Sequence, residues 1–271
     1  MKAIFCSIAL FLLVASCQRN KPSVTKNDTK VSQGMDSLYS KVQSEPEPPV
    51  AADGLFDDFV YSFMRNQRFQ MERIDFPLPN FVDGKNHPIS KHDWKYDCMY
   101  MHQDVYTIIF DSEKSVSAEK DTTIRQVVVE WVYLHQQRVK QYHFAKDNGV
   151  WRLKKLDTHA MANNPNHDFY VFYNRFSSDK TYQNSHILNP FHFKTYDYDN
   201  FQTVEGLLDV TQWPDYRPTL PKGTITNINY GQHYRNSHKR VLFLCSPSGG
   251  MGCSMTFVRQ GKDWMLARLD N

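Results

Sequence analysis

Residues 150–157 read VWRLKKLD, and residues 263–270 read DWMLARLD. Trp151, Leu153, Leu156 and Asp157 return as Trp264, Leu266, Leu269 and Asp270, a shift of 264 − 151 = 113 positions. Moving outward at that shift, Phe144 falls on Phe257 and Lys146 on Arg259. A hundred residues upstream, Phe56, Phe59 and Phe63 fall on Phe169, Phe172 and Phe176, followed by Phe69 on Tyr182, Gln70 on Gln183, Ile74 on Ile187 and Pro77 on Pro190. One offset serves both ends of the unit, which implies a tandem duplication. The middle departs from it: Thr107-Ile108 resembles Thr224-Ile225 at a shift of 117, so the intervening loops differ in length. Each unit is the size of a small domain, and the period exceeds the 20 to 50 residues or so of solenoid repeats. The expected organisation is residues 55–160 as the first unit and 161–271 as the second.

Within a unit, Phe56, Phe59 and Phe63 are spaced i, i+3, i+7, the stripe of an amphipathic helix. Asp53 is a candidate cap for it, and Asn164 followed by Pro165 is the candidate cap of the second copy. The back half reads as strands: 125–134, 137–145 and 150–156, with Asn148-Gly149 as a tight hairpin signal. In the second unit 241–245, 254–259 and 264–269 take the same places. The predicted order is helix first, then an antiparallel meander, an α+β class in which each helix packs on a curled sheet.

The chain opens with Met1-Lys2, an apolar run from Ala3 to Val14, then Ala15-Ser16-Cys17. The run is shorter than the roughly 20 residues a permanent span needs, and the pattern is that of a signal peptide. Val14-Ala15-Ser16-Cys17 resembles the bacterial lipobox, which implies cleavage before Cys17 and acylation of its thiol; acyl chains then hold the protein to a bilayer without spanning it. Gln18 after the cysteine resembles outer-membrane sorting, and Arg19, Asn20 and Lys21 lack an acidic surface-display cluster, so the expected address is the periplasmic face of the outer membrane. Residues 18–54, poor in large apolar side chains and carrying Glu45-Pro46-Glu47-Pro48-Pro49, read as a disordered stalk. No later stretch is long and apolar enough to cross a membrane.

The formal net charge is +3 over 271 residues, with Lys and Arg scattered, whereas a nucleic-acid groove needs them clustered. Of the five cysteines, Cys6 leaves with the signal, Cys17 is the acylation site, and Cys98, Cys245 and Cys253 remain in a disulfide-permissive compartment. Cys245 and Cys253 flank Gly249 symmetrically, so a simple hairpin centred there would oppose them at a separation a disulfide can close; a slightly different register would leave two free thiols.

The helix-then-curled-sheet order, closing in Trp-x-Leu-x-x-Leu, resembles the nuclear-transport-factor-2-like (cystatin-like) cone. Phe69-Gln70, Arg73-Ile74 and Phe76-Pro77-Leu78, with their echo Tyr182-Gln183, His186-Ile187 and Pro190-Phe191, resemble an uncharacterised Bacteroidetes lipoprotein family, domain of unknown function 4348. That resemblance implies fold and address and no activity.

Candidate pocket residues are Tyr142, His143, Gln70 and Gln183. Tyr142, His143, His135 and Glu130 lie on strands of the first unit, but Met255, Thr256, Ser248 and Phe243 stand at those positions in the second, so no acid–base pair recurs. Gln70 and Gln183 do recur, and a buried Gln bonding backbone is the plainer explanation. The eleven histidines show no zinc spacing, Ser248-Gly249-Gly250-Met251-Gly252 joins two strands and does not open a helix, and no nucleophilic triad stands out. The aromatic stretch Phe169 to Phe201 is either core or a glycan-stacking surface. No metal or cofactor is expected. The expected role is non-enzymatic binding of a small molecule, glycan or envelope protein through the paired domains. The alternative is a small cone-fold enzyme, isomerase- or hydrolase-like, acting on a hydrophobic or glycan substrate with Tyr142 or His143 as its acid or base.

Overall fold

The computed structural model describes residues 52–247 and 252–271. Cys17, the expected signal sequence, most of the expected stalk and residues 248–251 lie outside the described residues. Packed structure lies ahead of the expected boundary at 55: Ala52 is buried, and the Asp53 carboxylate accepts from the two terminal guanidinium nitrogens of Arg73 (2.8 and 2.9 Å) and from the Trp151 amide (2.9 Å). Asp53 is therefore a clamp between helix and sheet, and Leu55 is the uncapped start of helix α1, Phe56–Arg65.

The apolar stripe of α1 buries Phe56, Phe59 and Phe63, as its spacing requires. A second short helix, α2 (Gln67–Glu72), follows directly, its first turn capped by Asn66, whose side chain accepts from the Phe69 amide at 2.8 Å. Helix α3 (His167–Ser178) repeats α1, and α4 (Lys180–Ser185) repeats α2 with Asp179 as its cap. Sequence periodicity misses α2 and α4 because six residues are too few to show a period. Asn164 does not cap α3; its side chain accepts from the Asn166 amide and donates to Glu130.

The strands are β1 (Asn80–Val82), β2 (Lys85–Asn86), β3 (Tyr106–Phe110), β4 (Gln126–Tyr133), β5 (Arg138–Asp147), β6 (Val150–Ala160), β7 (Ile187–Asp197), β8 (Gln202–Leu208), β9 (Thr224–Asn229), β10 (Lys239–Cys245), β11 (Cys253–Gln260) and β12 (Asp263–Asp270). A one-turn helix, α5 (Trp213–Tyr216), precedes β9. Two six-stranded sheets result, in the orders β2-β1-β6-β5-β4-β9 and β8-β7-β12-β11-β10-β3. The antiparallel meander is as expected, and Asn148 and Gly149, both at positive φ, make the β5–β6 turn. Toward the far side of each sheet the pairing is parallel, β1 with β6 and β7 with β12, strands that the rest of each sheet's chain separates in sequence. Both sheets carry a bulge at the same place, between His143 and Phe144 and between Thr256 and Phe257, which bends the strand over the helix.

The outermost strands at the junction cross between the expected units. β3, from the first unit, pairs with β10 of the second, and β9, from the second, pairs with β4 of the first. Residues 55–160 and 161–271 are therefore not self-contained, since each donates one strand to the other's sheet. The crossing point is symmetric. The Thr107 amide donates to Thr226 Oγ1 (2.7 Å) and the Thr226 amide to Thr107 Oγ1 (3.0 Å), while each hydroxyl donates to the other's carbonyl. The matching shift here is 226 − 107 = 119, not 117. Ile108 and Phe110 point into the first core and Ile109 into the second, so one strand stitches both.

Each core is aromatic. Phe56, Phe59 and Phe63 meet Phe144 and Trp151 with ring centroids 5.1–6.2 Å apart. Phe169, Phe172 and Phe176 meet Phe257 and Trp264 in the same way. These rings occupy the space between helix and sheet.

Candidate functional site

Gln70 and Gln183 sit where the second helix of each half meets the mouth of its cone, and both are buried. Gln70 is saturated. Its Nε2 donates to the carbonyls of Phe63 (2.9 Å) and Asp97 (2.8 Å), and its Oε1 accepts from Trp94 Nε1 and the Asp97 amide, both at 3.0 Å. Gln183 repeats half of this: Nε2 donates to the Phe176 carbonyl (2.9 Å), and Oε1 accepts from Trp213 Nε1 (2.8 Å). Trp94 and Trp213 are related by the same 119 positions as the two threonines. Each Gln is a latch between helix, tryptophan and covering loop, the structural role that a buried amide suggests.

Tyr142 and His143 are adjacent on β5 and so face opposite sides of the sheet. Tyr142 OH donates to Asp97 Oδ2 and accepts from Lys140 Nζ at 2.6 Å; burial and the Asp97 charge keep its proton bound far above the ordinary phenol range. The Nε2 of His143 is buried with no partner among the described residues, and desolvation followed by the Lys155 charge pushes its pKa down to about 4. The two therefore do not converge on a shared space.

Glu130, on the opposite face of β4 from the first core, is enclosed in the wall between the halves. Its Oε1 accepts from Gln141 (2.7 Å) and Asn164 (2.8 Å), and its Oε2 from Tyr170 and Asn227 (both 2.9 Å). Four neutral donors saturate it, and it joins the halves. The aromatic stretch divides: Phe169, Phe172, Phe176, Phe191 and Phe193 are core, whereas Tyr196, Tyr198 and Phe201 are exposed on the β7–β8 hairpin.

The expected Cys245–Cys253 bridge is not formed. Cys253 pairs with Leu244, so Cys245 is one residue out of register and lies on the other face of the sheet, and both thiols are free. Cys245 packs on the first core and Cys253 within the second; burial pushes each thiol up to about 11.

Open space survives elsewhere. One crevice of about 230 Å³ lies where α1 meets the second half's strand β9. Asp57, Tyr61 and Met64 of α1, with Tyr100, Met101 and Tyr106, form one wall, and Ile228 and Pro247 the other. Tyr100 and Tyr106 stack with centroids 4.7 Å apart. Asp57 accepts from Tyr230 OH across the junction, and desolvation raises its pKa to about 6 despite that hydrogen bond. A second crevice of about 260 Å³ opens at the mouth of the other cone, against Gln183, Lys180, Arg217 and Lys222. The sequence offers little signal for either. Asp57 is an acid beside an apolar stripe whose counterpart is Tyr170, and Arg217 sits in a loop that packing alone brings to the latch.

Among the described residues no three His, Cys, Asp or Glu side chains come together as a metal site, and no helix is long and apolar enough to cross a membrane.

The family model described as a domain of unknown function, DUF4348, matches residues 34–271. The chain belongs to the DUF4348 family. It is similar, with a TM-score of 0.75 and 33% identity over 82% of this chain and 97% of the other, to the crystal structure of an NTF2-like protein from Bacteroides fragilis. No curated protein matches it. This member of the family thus has a mixed α+β fold built on two sheets, with an NTF2-like neighbour among solved structures.

Proposed function

We propose that this DUF4348 protein is an envelope lipoprotein, anchored through Cys17, in which two copies of one α+β unit form a binding module and not an enzyme. The tandem organisation is supported by the shared sheet order, the matched bulges and the matched Gln–Trp latches. The observation that carries the binding reading is the crevice at Asp57. Both cones are filled by aromatic rings, while this space at the junction keeps aromatic and thioether walls, the half-buried carboxylate of Asp57 and, at its edge, the exposed one of Asp58. Such a site suits a ligand with an apolar body and a cationic or hydrogen-bond-donating head.

The test follows the methyl resonances of Met64 and Met101 during titration with benzylamine, and with benzyl alcohol as its neutral analogue. Saturable shifts at both methyls with benzylamine, weakened in Asp57→Asn, are expected; silence from both probes at both methyls would end the reading. The anchor has its own check. Alkyne-palmitate labelling should mark the protein and disappear in Cys17→Ser, and persistence of the label on that variant would refute it.

One observation favours the enzyme alternative: an acid with a pKa of about 6 and a tyrosine hydroxyl bonded to it in a cleft is a proton-transfer pair. In that reading Asp57 is the reacting group, in place of Tyr142 or His143. Turnover of a candidate substrate that is lost in Asp57→Asn, while the substrate still binds, would select it over simple binding.

A further inference from the structure

The two Gln latches differ in one respect that points to a ligand. In the first half all four hydrogen-bonding positions of Gln70 are taken by its own chain. In the second half the second N–H of Gln183 has no acceptor among the described residues, although the side chain is only 4% exposed and lines the crevice. Its carbonyl oxygen, which at Gln70 accepts a backbone amide, here accepts the Arg217 guanidinium at 3.2 Å and so fixes that cation at the rim. A buried amide proton without an acceptor is a cost that native proteins rarely leave standing.

The charges around it agree. Lys180, Arg217 and Lys222 line the same crevice, and among the described residues none of the three lies within ion-pair distance of a carboxylate. Asp215, next to Pro214 in the lining, is not itself part of the wall. The Ser177 and Ser178 hydroxyls donate to the Asn174 carbonyl, so they present lone pairs and not protons. The proton donors facing the space are the Gln183 amide, the Arg217 fork, the two lysines and the Thr219 hydroxyl. Apart from the two serine oxygens the groups facing the space are donors and cations with no carboxylate paired to them, the complement of an oxyanion.

We propose that the Gln183–Arg217 crevice is an anion-binding site for a carboxylate or phosphate group carried on a small polar molecule. Its volume of about 260 Å³ exceeds that of a bare oxyanion and leaves room for a sugar-sized body. Gln183 and Arg217 fix the head group, and Lys180 and Lys222 supply long-range attraction. The site is separate from the Asp57 crevice, so either can fail without the other.

The experiment reads the indole N–H resonance of Trp213, which donates to Gln183, with that of Trp94, which donates to Gln70, as the internal control. Inorganic phosphate, glucuronate and glucose 6-phosphate are titrated at constant ionic strength against chloride. The expected result is a saturable shift of the Trp213 signal with at least one of the three anions, none with chloride and none at Trp94. Response to glucuronate alone assigns a carboxylate site, and response to the phosphates alone assigns a phosphate site. Arg217→Gln should weaken the response about tenfold or more, the scale of a lost charge-assisted bond. The Lys180→Gln, Lys222→Gln double variant, which changes only exposed side chains, should weaken it severalfold with the fold intact. No saturable shift with any anion, an equal shift at Trp94, or full retention in both variants would overturn the proposal.

Discussion

Gln70 and Gln183 occupy the same place in two sheets of the same order, yet one is closed by its own backbone and the other holds an arginine and keeps a free N–H. The loops that meet them account for the difference. Around Gln70 the chain from Trp94 to Asp97 turns its backbone onto the amide, and Tyr96 OH adds a bond of 2.6 Å to the Met64 carbonyl. Around Gln183 only Trp213 and Arg217 arrive, leaving the mouth open. The latch is common to both halves because it holds helix to sheet, whereas its rim is closed by backbone in the first half and open and cationic in the second. A shared residue thus keeps its role in folding while the unshared loop around it decides whether a ligand can reach it.

The largest effect should come from the cores. Trp264→Ala is expected to cost about 4 kcal/mol, the usual range for emptying a buried indole, and Trp151→Ala a similar amount. Because β3 and β9 are exchanged, the loss should appear in both sheets. Hydrogen exchange of Trp264→Ala should show amides of β5 and β6 losing protection together with those of β11 and β12. Wild-type protection in the first sheet would break the idea that the halves unfold together.

The latches come next. Gln70→Leu strands the Trp94 indole and the Asp97 amide as donors and two carbonyls as acceptors, and should cost about 3 kcal/mol, while Gln183→Leu should cost about half as much because Arg217 can turn to water. Urea denaturation of the pair measures the ratio. Equal losses would show that the two latches are equivalent after all.

Asp57 gives a pH signature that its counterpart Tyr170 cannot. Its folded pKa, about 6, lies above the ordinary carboxylate value of 3.8, so the folded state holds the proton more tightly than the unfolded one. Its contribution to stability should therefore fall as pH rises from about 4 to about 6 and level off above, by about 3 kcal/mol at about 1.4 kcal/mol per unit. Asp57→Asn should remove that contribution and leave the opposite slope of His143 uncovered over the same window. His143 acts on the other side. Its lowered pKa means that stability is full above the unfolded value of 6.5 and falls as pH drops toward about 4, and His143→Thr, the residue of the second half, should remove that loss.

The smallest effect belongs to the β7–β8 hairpin, which the first half has only as the stub β1–β2. Phe201 is 79% exposed, so Phe201→Ser should change stability by no more than about 0.5 kcal/mol. A larger loss in thermal denaturation would mean that the hairpin tip is covered in the protein in solution.

Much of this was legible in the chain. The recurring Phe and Trp positions marked both cores, since a ring that fills a cone can be replaced by little else. Asn148-Gly149 marked its hairpin through the positive φ both residues adopt, and the recurring glutamines marked the latches. What escaped was of two kinds. α2 and α4 are too short for periodicity, and their caps, Asn66 and Asp179, look like loop residues until the turn they close is known. Register escaped too: Cys245 and Cys253 flank their turn evenly in sequence, yet pairing of Cys253 with Leu244 turns the thiols to opposite faces.

By itself, then, the sequence determined the α+β class, the repeated core and the places of most strands, because hydrophobic spacing and turn chemistry act over a few residues. Only the tertiary structure decided which sheet β3 and β9 join, which cysteines face each other, and where space remains open. The strand exchange depends on contacts more than a hundred positions apart, such as Thr107 with Thr226, and the cysteines on a one-residue choice of register; local spacing carries no record of either.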